Sequence, residues 1–160
     1  MATVTKKYIR HQRRHGGVPY GNVWRQRYTM TTNASGVIVD SDQATAVLIN
    51  DVVRLGIIDG GIELQNAEAI ISDAFAVSTT CKIGFQYVDG VDSASVPQND
   101  AFFFSAGTVL SSAARLVNSA TAAPVVLPKD AYLILTNAGA NHSAVGILDV
   151  IVTGQVVGTP

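Results

Sequence analysis

From Tyr20 onward, apolar and polar positions alternate in short runs bounded by turn residues. In YGNVWRQRYTM, Val23, Arg25 and Arg27 share one face of an extended chain, and Trp24, Gln26 and Tyr28 share the other. That is the pattern of an edge strand with its basic side chains outward. AEAIISDAFAV alternates in the same way, with Ala69, Ile71, Asp73 and Phe75 against Ile70, Ser72, Ala74 and Ala76. CKIGFQYVDG sets Cys81, Ile83, Phe85 and Tyr87 on one face and ends in Asp89-Gly90, a hairpin signal. AFFFSAGTVL, PVVLP, AYLILTNA and AVGILDVIVTGQVV read as further strands. They are separated by the polar loop VDSASVPQND, by Pro128-Lys129-Asp130 and by Asn137–Asn141. Asp59-Gly60-Gly61 is a turn.

Two segments are less regular. DSDQATAVLINDVVRLG allows a helix capped by Ser41 and closed by Gly56. Its β-branched residues Val47, Ile49, Val52 and Val53 favour two strands instead, TAVLI and VVRLGII, joined at Asn50-Asp51. SSAARLVNSATAA is small and irregular, with room for one helical turn. About eight short strands at this spacing predict an all-β chain, an antiparallel β-sandwich. A single domain over residues 19–160 follows, since 160 residues bury a full core without staples.

Residues 1–18 stand apart. Val4, Tyr8 and Ile9 keep no period there, and KKYIRHQRRHGG packs Lys6, Lys7, Arg10, Arg13 and Arg14 with two histidines into ten positions. Gly16 and Gly17 form a hinge before Pro19. The expectation is an extended basic arm over 1–18, disordered on its own.

Charge sharpens this division. Residues 1–39 hold seven Lys/Arg, the five above with Arg25 and Arg27, and no acid. The remainder holds four Lys/Arg against twelve Asp/Glu, a balance of −8. Charged residues make up only 14% of the chain, against roughly 25% in an ordinary soluble domain. A surface partly covered by other protein fits that figure, as does an unusually large core. A basic arm suits phosphates, or an acidic protein surface that it wraps. The acidic body favours the second, because nucleic-acid binders spread positive charge over the folded face too.

The chemistry is mostly absence. The glycine pair has no following GK[ST], and neither GxSxG nor HExxH occurs. His11 and His15 have arginines around them rather than metal ligands. His142, in NAGANHS, is expected to be exposed. Asp89, Asp92 and Asp100 lack the twelve-residue calcium-loop pattern, so a solvated loop is expected. Cys81 is expected to be a small buried hydrophobe. No metal site, no cofactor and no enzymatic activity are implied. No lipid-spanning run of about 20 apolar residues is present, so no membrane partner is expected.

The succession NDVVRLGIIDGGIEL, EAIISDAFAV, CKIGFQYVDG, DAFFFSAGTV, APVVLPKDAYLILTNAGA and AVGILDVIVTGQVVG resembles the β-sandwich, jelly-roll-like decoration (cement) proteins of tailed-bacteriophage capsids, over roughly residues 45–158. The resemblance implies a non-enzymatic virion protein made in the host cytoplasm. It would bind the outside of the capsid lattice as a homo-oligomer, dimer or trimer, with the major capsid protein as partner. Arm residues Lys6, Lys7, Arg10, Arg13, Arg14, Arg25 and Arg27 are the candidate contacts, read from charge alone, with Gly16 and Gly17 as hinge. Another virion part (a head–tail connector, tail or receptor-binding component) and a nucleic-acid-binding module are the alternatives.

Overall fold

The structure is a computed structural model that describes residues 2–6, 22–118 and 122–158. Among these residues there is no helix. Ten strands form instead: β1 (Thr3–Thr5), β2 (Val23–Thr32), β3 (Val52–Ile58), β4 (Ile62–Asp73), β5 (Thr80–Tyr87), β6 (Asn99–Val109), β7 (Ala114–Val117), β8 (Val125–Val126), β9 (Ala131–Ala138) and β10 (Gly146–Val156). One five-stranded sheet runs β1-β3-β9-β5-β6. The other runs β2-β10-β4-β7, with β8 added on β4. Every pairing is antiparallel except that of β1 with β3.

The two sheets are joined by one apolar core. β5 supplies Cys81, Ile83, Phe85 and Tyr87, and β9 supplies Leu133 and Leu135. The facing sheet supplies Met30, Ala67, Ala69, Ile71, Leu148, Val150 and Val152. The period-2 pattern of the sequence is therefore the inside–outside pattern of the sandwich. Phe85, Tyr87, Phe102 and Phe103 meet edge-on, with ring centroids 5.0–5.8 Å apart. Cys81 is fully buried, and burial pushes its thiol pKa up to about 12.

Tyr28 pins the sheets together from β2. Its hydroxyl donates to the Ile57 carbonyl of β3 at 2.9 Å. Its ring lies over Gly56, where an added Cβ would stand 2.4 Å from a ring carbon. Glycine is what lets the aromatic ring approach the backbone here.

Three expectations change. TAVLI is not a strand: Val47 is buried, but Leu48 and Ile49 are half exposed. Its backbone is occupied by loops, with Val47 N donating to Gly36 O and Val47 O accepting from His142 N. β-branched propensity says nothing about which neighbour is available, and here no strand runs alongside. In SSAARLVNSATAA, residues Ala114–Val117 form β7 on β4 rather than a helical turn. The hydrogen-bonding edge of β4 outweighs the weak local preference of that segment.

The third is His142, which is buried rather than exposed, at 1% relative accessibility. Its Nε2 lies 3.1 Å from Asn137 Oδ1, and Phe75 packs edge-on at 5.0 Å. Asn137 Nδ2 donates to the Leu48 and Ala140 carbonyls, so its Oδ1 is the acceptor and His142 Nε2 the donor. Nδ1 is buried without a hydrogen-bond partner. A second proton there would be charged and unsolvated, and burial holds the pKa down to about 4 from 6.5. The polar loop NAGANHS gave no sign of this, because the burial comes from distant residues.

The unfolded chain takes up this proton first as the pH falls below 6.5. Stability that is complete above that value is lost as the pH falls toward about 4, by about 3 kcal/mol at most. Thermal melts across this range are expected to show the loss, and His142→Gln to flatten it; an unchanged pH slope in the variant would contradict the assignment. Denaturant titration is expected to show a cost of about 1 kcal/mol for Tyr28→Phe. Gly56→Ala is expected to cost more, because the ring must move.

Candidate protein-binding surface

The basic residues expected to act divide between the described body and the rest. Arg25 and Arg27 project from the outer face of edge strand β2. Lys6 follows β1. Lys7, Arg10, Arg13, Arg14, Gly16 and Gly17 lie outside the described residues.

The register of β10 brings acids within reach of the two arginines, although the residues directly opposite them are Ile151 and Thr153. Arg27 sits beside Ile151 of β10, which sits beside Glu68 of β4, which sits beside Val117 of β7. The guanidinium of Arg27 is 3.8 Å from Asp149, and that of Arg25 is 3.7 Å from Glu68. Arg115 approaches the same Glu68 oxygen from the other side, also at 3.7 Å. Thr29 donates its hydroxyl to Asp149. A row of alternating charge thus crosses the whole outer face, interleaved with half-buried Ile70, Ile147 and Ile151.

The arginine side chains remain 60–68% exposed, so each pair contributes less than about 1 kcal/mol. The ladder sets orientation more than stability. It leaves a mixed apolar and charged face whose arginines stay largely exposed. Exposed Val23 and Val117 lie on the same face at its two edges. Glu68, Arg115 and Asp149 were not singled out by sequence. The usable signal was that both faces of AVGILDVIVTGQVV carry isoleucine, leucine or valine, which a strand with a fully solvated outer face does not need.

Lys6 is engaged at home. It bridges to Ser41, and its Nζ donates to the Thr29 carbonyl of β2. Burial lowers its pKa from 10.5, with Asp40 and Asp149 pulling the other way. Asp89 is paired with Lys129 at 2.7 Å and Asp100 with Lys82 at 2.5 Å. Asp92 caps the backbone of Ser93 and Gln98. Each of these three carboxylates therefore has a partner of its own, and among the described residues no group of His, Cys, Asp or Glu could hold a metal ion. Among the described residues no helix is long and apolar enough to cross a membrane.

The geometry defines an all-β sandwich with a ladder of charged side chains across one outer sheet face. No family model and no curated protein matches the chain. Among solved structures, a chain from the capsid of Ralstonia phage GP4 matches 99% of this chain and 100% of its own length. Its TM-score is 0.66 at 15% identity, a likeness of fold. A chain from the acidic stable capsid of Helicobacter pylori bacteriophage KHP30 covers 82% of this chain and 92% of its own. Its TM-score is 0.43 at 9% identity, too low to bear on the argument.

A double-mutant cycle on Arg27→Ala and Asp149→Ala is expected to give a coupling of about 0.2–1 kcal/mol that shrinks with added salt. Coupling well above that range in denaturant titrations would show the pair to be better shielded than its exposure implies.

Proposed function

We propose that this chain is a non-enzymatic structural protein of a bacteriophage virion. In this reading it binds the outside of the capsid lattice as a decoration, or cement, protein and works as a homo-oligomer. The observation that carries the proposal is the end-to-end fold match with a chain of the Ralstonia phage GP4 capsid. The charge split adds to it: a basic N-terminal stretch precedes a body with twelve acids.

In this reading the sheet face of Arg25, Arg27 and Arg115 and the cations from Lys7 to Arg14 meet acidic patches of the major capsid protein. Single exposed pairs are weak, but many acting together in a repeated array give avidity through effective concentration. Neutral apolar neighbours such as Val23 and Ile151 supply contact that salt does not screen.

The test uses shells assembled from the major capsid protein of the same phage and lacking this chain. Co-sedimentation is expected to show saturable binding on the outer surface that weakens as salt rises. Replacing Lys7, Arg10, Arg13 and Arg14 by serine is expected to weaken it at least about tenfold, the loss of roughly 1.4 kcal/mol. Unchanged affinity in that variant would overturn the role of the arm. No binding to shells by the intact chain would overturn the reading as a whole.

A further inference from the structure

We propose that the N-terminal strand β1 is an exchangeable element, which seats on β3 of a second copy of this chain and so links copies by reciprocal strand exchange.

The body offers a formed socket for five residues. Ala2 N donates to Asp51 Oδ1 at 2.6 Å, and Ala2 O accepts from Val52 N at 3.0 Å. The other oxygen of Asp51 accepts from Leu48 N at 2.9 Å, so a buried carboxylate fastens the strand to the loop beneath it. Thr5 and Asp42 form a closed pair: Thr5 N donates to Asp42 Oδ1 at 2.8 Å, and Asp42 N donates to Thr5 O at 2.9 Å. Val4, between them, is 2% exposed. Lys6 completes the seat on Thr29. Without β1, Asp51 Oδ1 and the outer edge of β3 lose their partners, which disfavours an empty socket.

All these contacts join residues 2–6 to residues 29–53. None depends on the two segments belonging to the same molecule. What holds them in one chain is the sequence between Lys6 and Asn22, fifteen residues long. Lys6 sits beside Thr29, and Asn22, where the connection ends, lies seven residues back from Thr29, about 23 Å away along an extended chain. Fifteen intervening residues reach up to about 50 Å. The connection is about twice as long as the route within one molecule needs, and that surplus is the length a strand seated on an adjoining copy would use. Exchange keeps every native contact and costs only the difference between two ways of closing the connection. A tether of this length holds its own strand at an effective concentration on the order of millimolar, so exchange competes where copies are packed at that density.

This inference concerns the isolated protein and does not rest on the virion reading. Two single-cysteine chains, both with the buried Cys81 replaced by alanine, test it: Thr3→Cys on a heavy-isotope background and Val52→Cys on a light one. Thr3 and Val52 are paired residues of β1 and β3. Closure within one molecule is impossible in this mixture. The chains are mixed, concentrated from micromolar to millimolar, oxidised and digested. Mass spectrometry then counts heavy–light disulfides. Val117→Cys, exposed on the other sheet, replaces Val52→Cys as the collision control. A chain carrying both Thr3→Cys and Val52→Cys, oxidised when dilute, verifies that the pair can form the bond. The Thr3–Val52 heavy–light product is expected in roughly tenfold excess over the control at the highest concentration, rising with concentration. A yield no greater than the control, with the double variant closing normally, overturns the proposal.

Discussion

Strand β10 is the constraint from which most of the molecule follows. It is paired over ten positions with β2 on one side and over ten with β4 on the other. Leu148, Val150 and Val152 are driven into the core, and period 2 then sends Asp149 and Ile151 to the outer face. A slip of one residue would bury Asp149 and expose the core set, so the register is strongly held. The positions of Arg27 opposite Ile151 and of Glu68 beside it are consequences of that register, as is the charge ladder they form. Two irregularities in the β10–β4 pairing, at Ile147/Leu148 and Thr153/Gly154, bend the sheet without disturbing the stretch between them.

The ends of the sandwich are closed by polar groups aimed inward. At one end Asn137 bonds the Leu48 and Ala140 carbonyls and His142, while Asp51 gathers Ala2 and Leu48. These groups let irregular loops lie against the core without orphaned backbone atoms. The same end holds the N-terminal strand. The outer sheet face, by contrast, is ordered by weak exposed pairs and stays available. The molecule thus joins a strongly specified interior to an outer sheet face ordered only by weak, exposed pairs.

Much of the fold was legible because strand texture is local. The runs from Val23 to Tyr28, Cys81 to Tyr87 and Ala131 to Ala138 matched observed strands, and the turns at Asp59-Gly60-Gly61 and Asp89-Gly90 lie where glycine and aspartate placed them. The misses were places where a distant segment decided the outcome. Val47 had the residues of a strand but no strand to pair with. Ala114–Val117 had no strand signature but met an open edge of β4. His142 sat in a sequence of turn residues, and Phe75 and Asn137 enclosed it. At the candidate surface, Arg25 and Arg27 were legible as outward-facing cations, but their acids on β4 and β10 were not.

By itself, then, the sequence determined the all-β class, the inward and outward faces of its main strands, and the concentration of positive charge ahead of an acidic body. These depend on side-chain period and composition, which need no knowledge of neighbours. Tertiary structure alone decided the order of strands in each sheet, the match of Arg27 and Arg25 to Asp149 and Glu68, the burial of His142 and the seating of Thr3–Thr5 beside β3. Each is a contact between residues far apart along the chain. Its energy exists only when the sheets have closed, so no local pattern carries its mark.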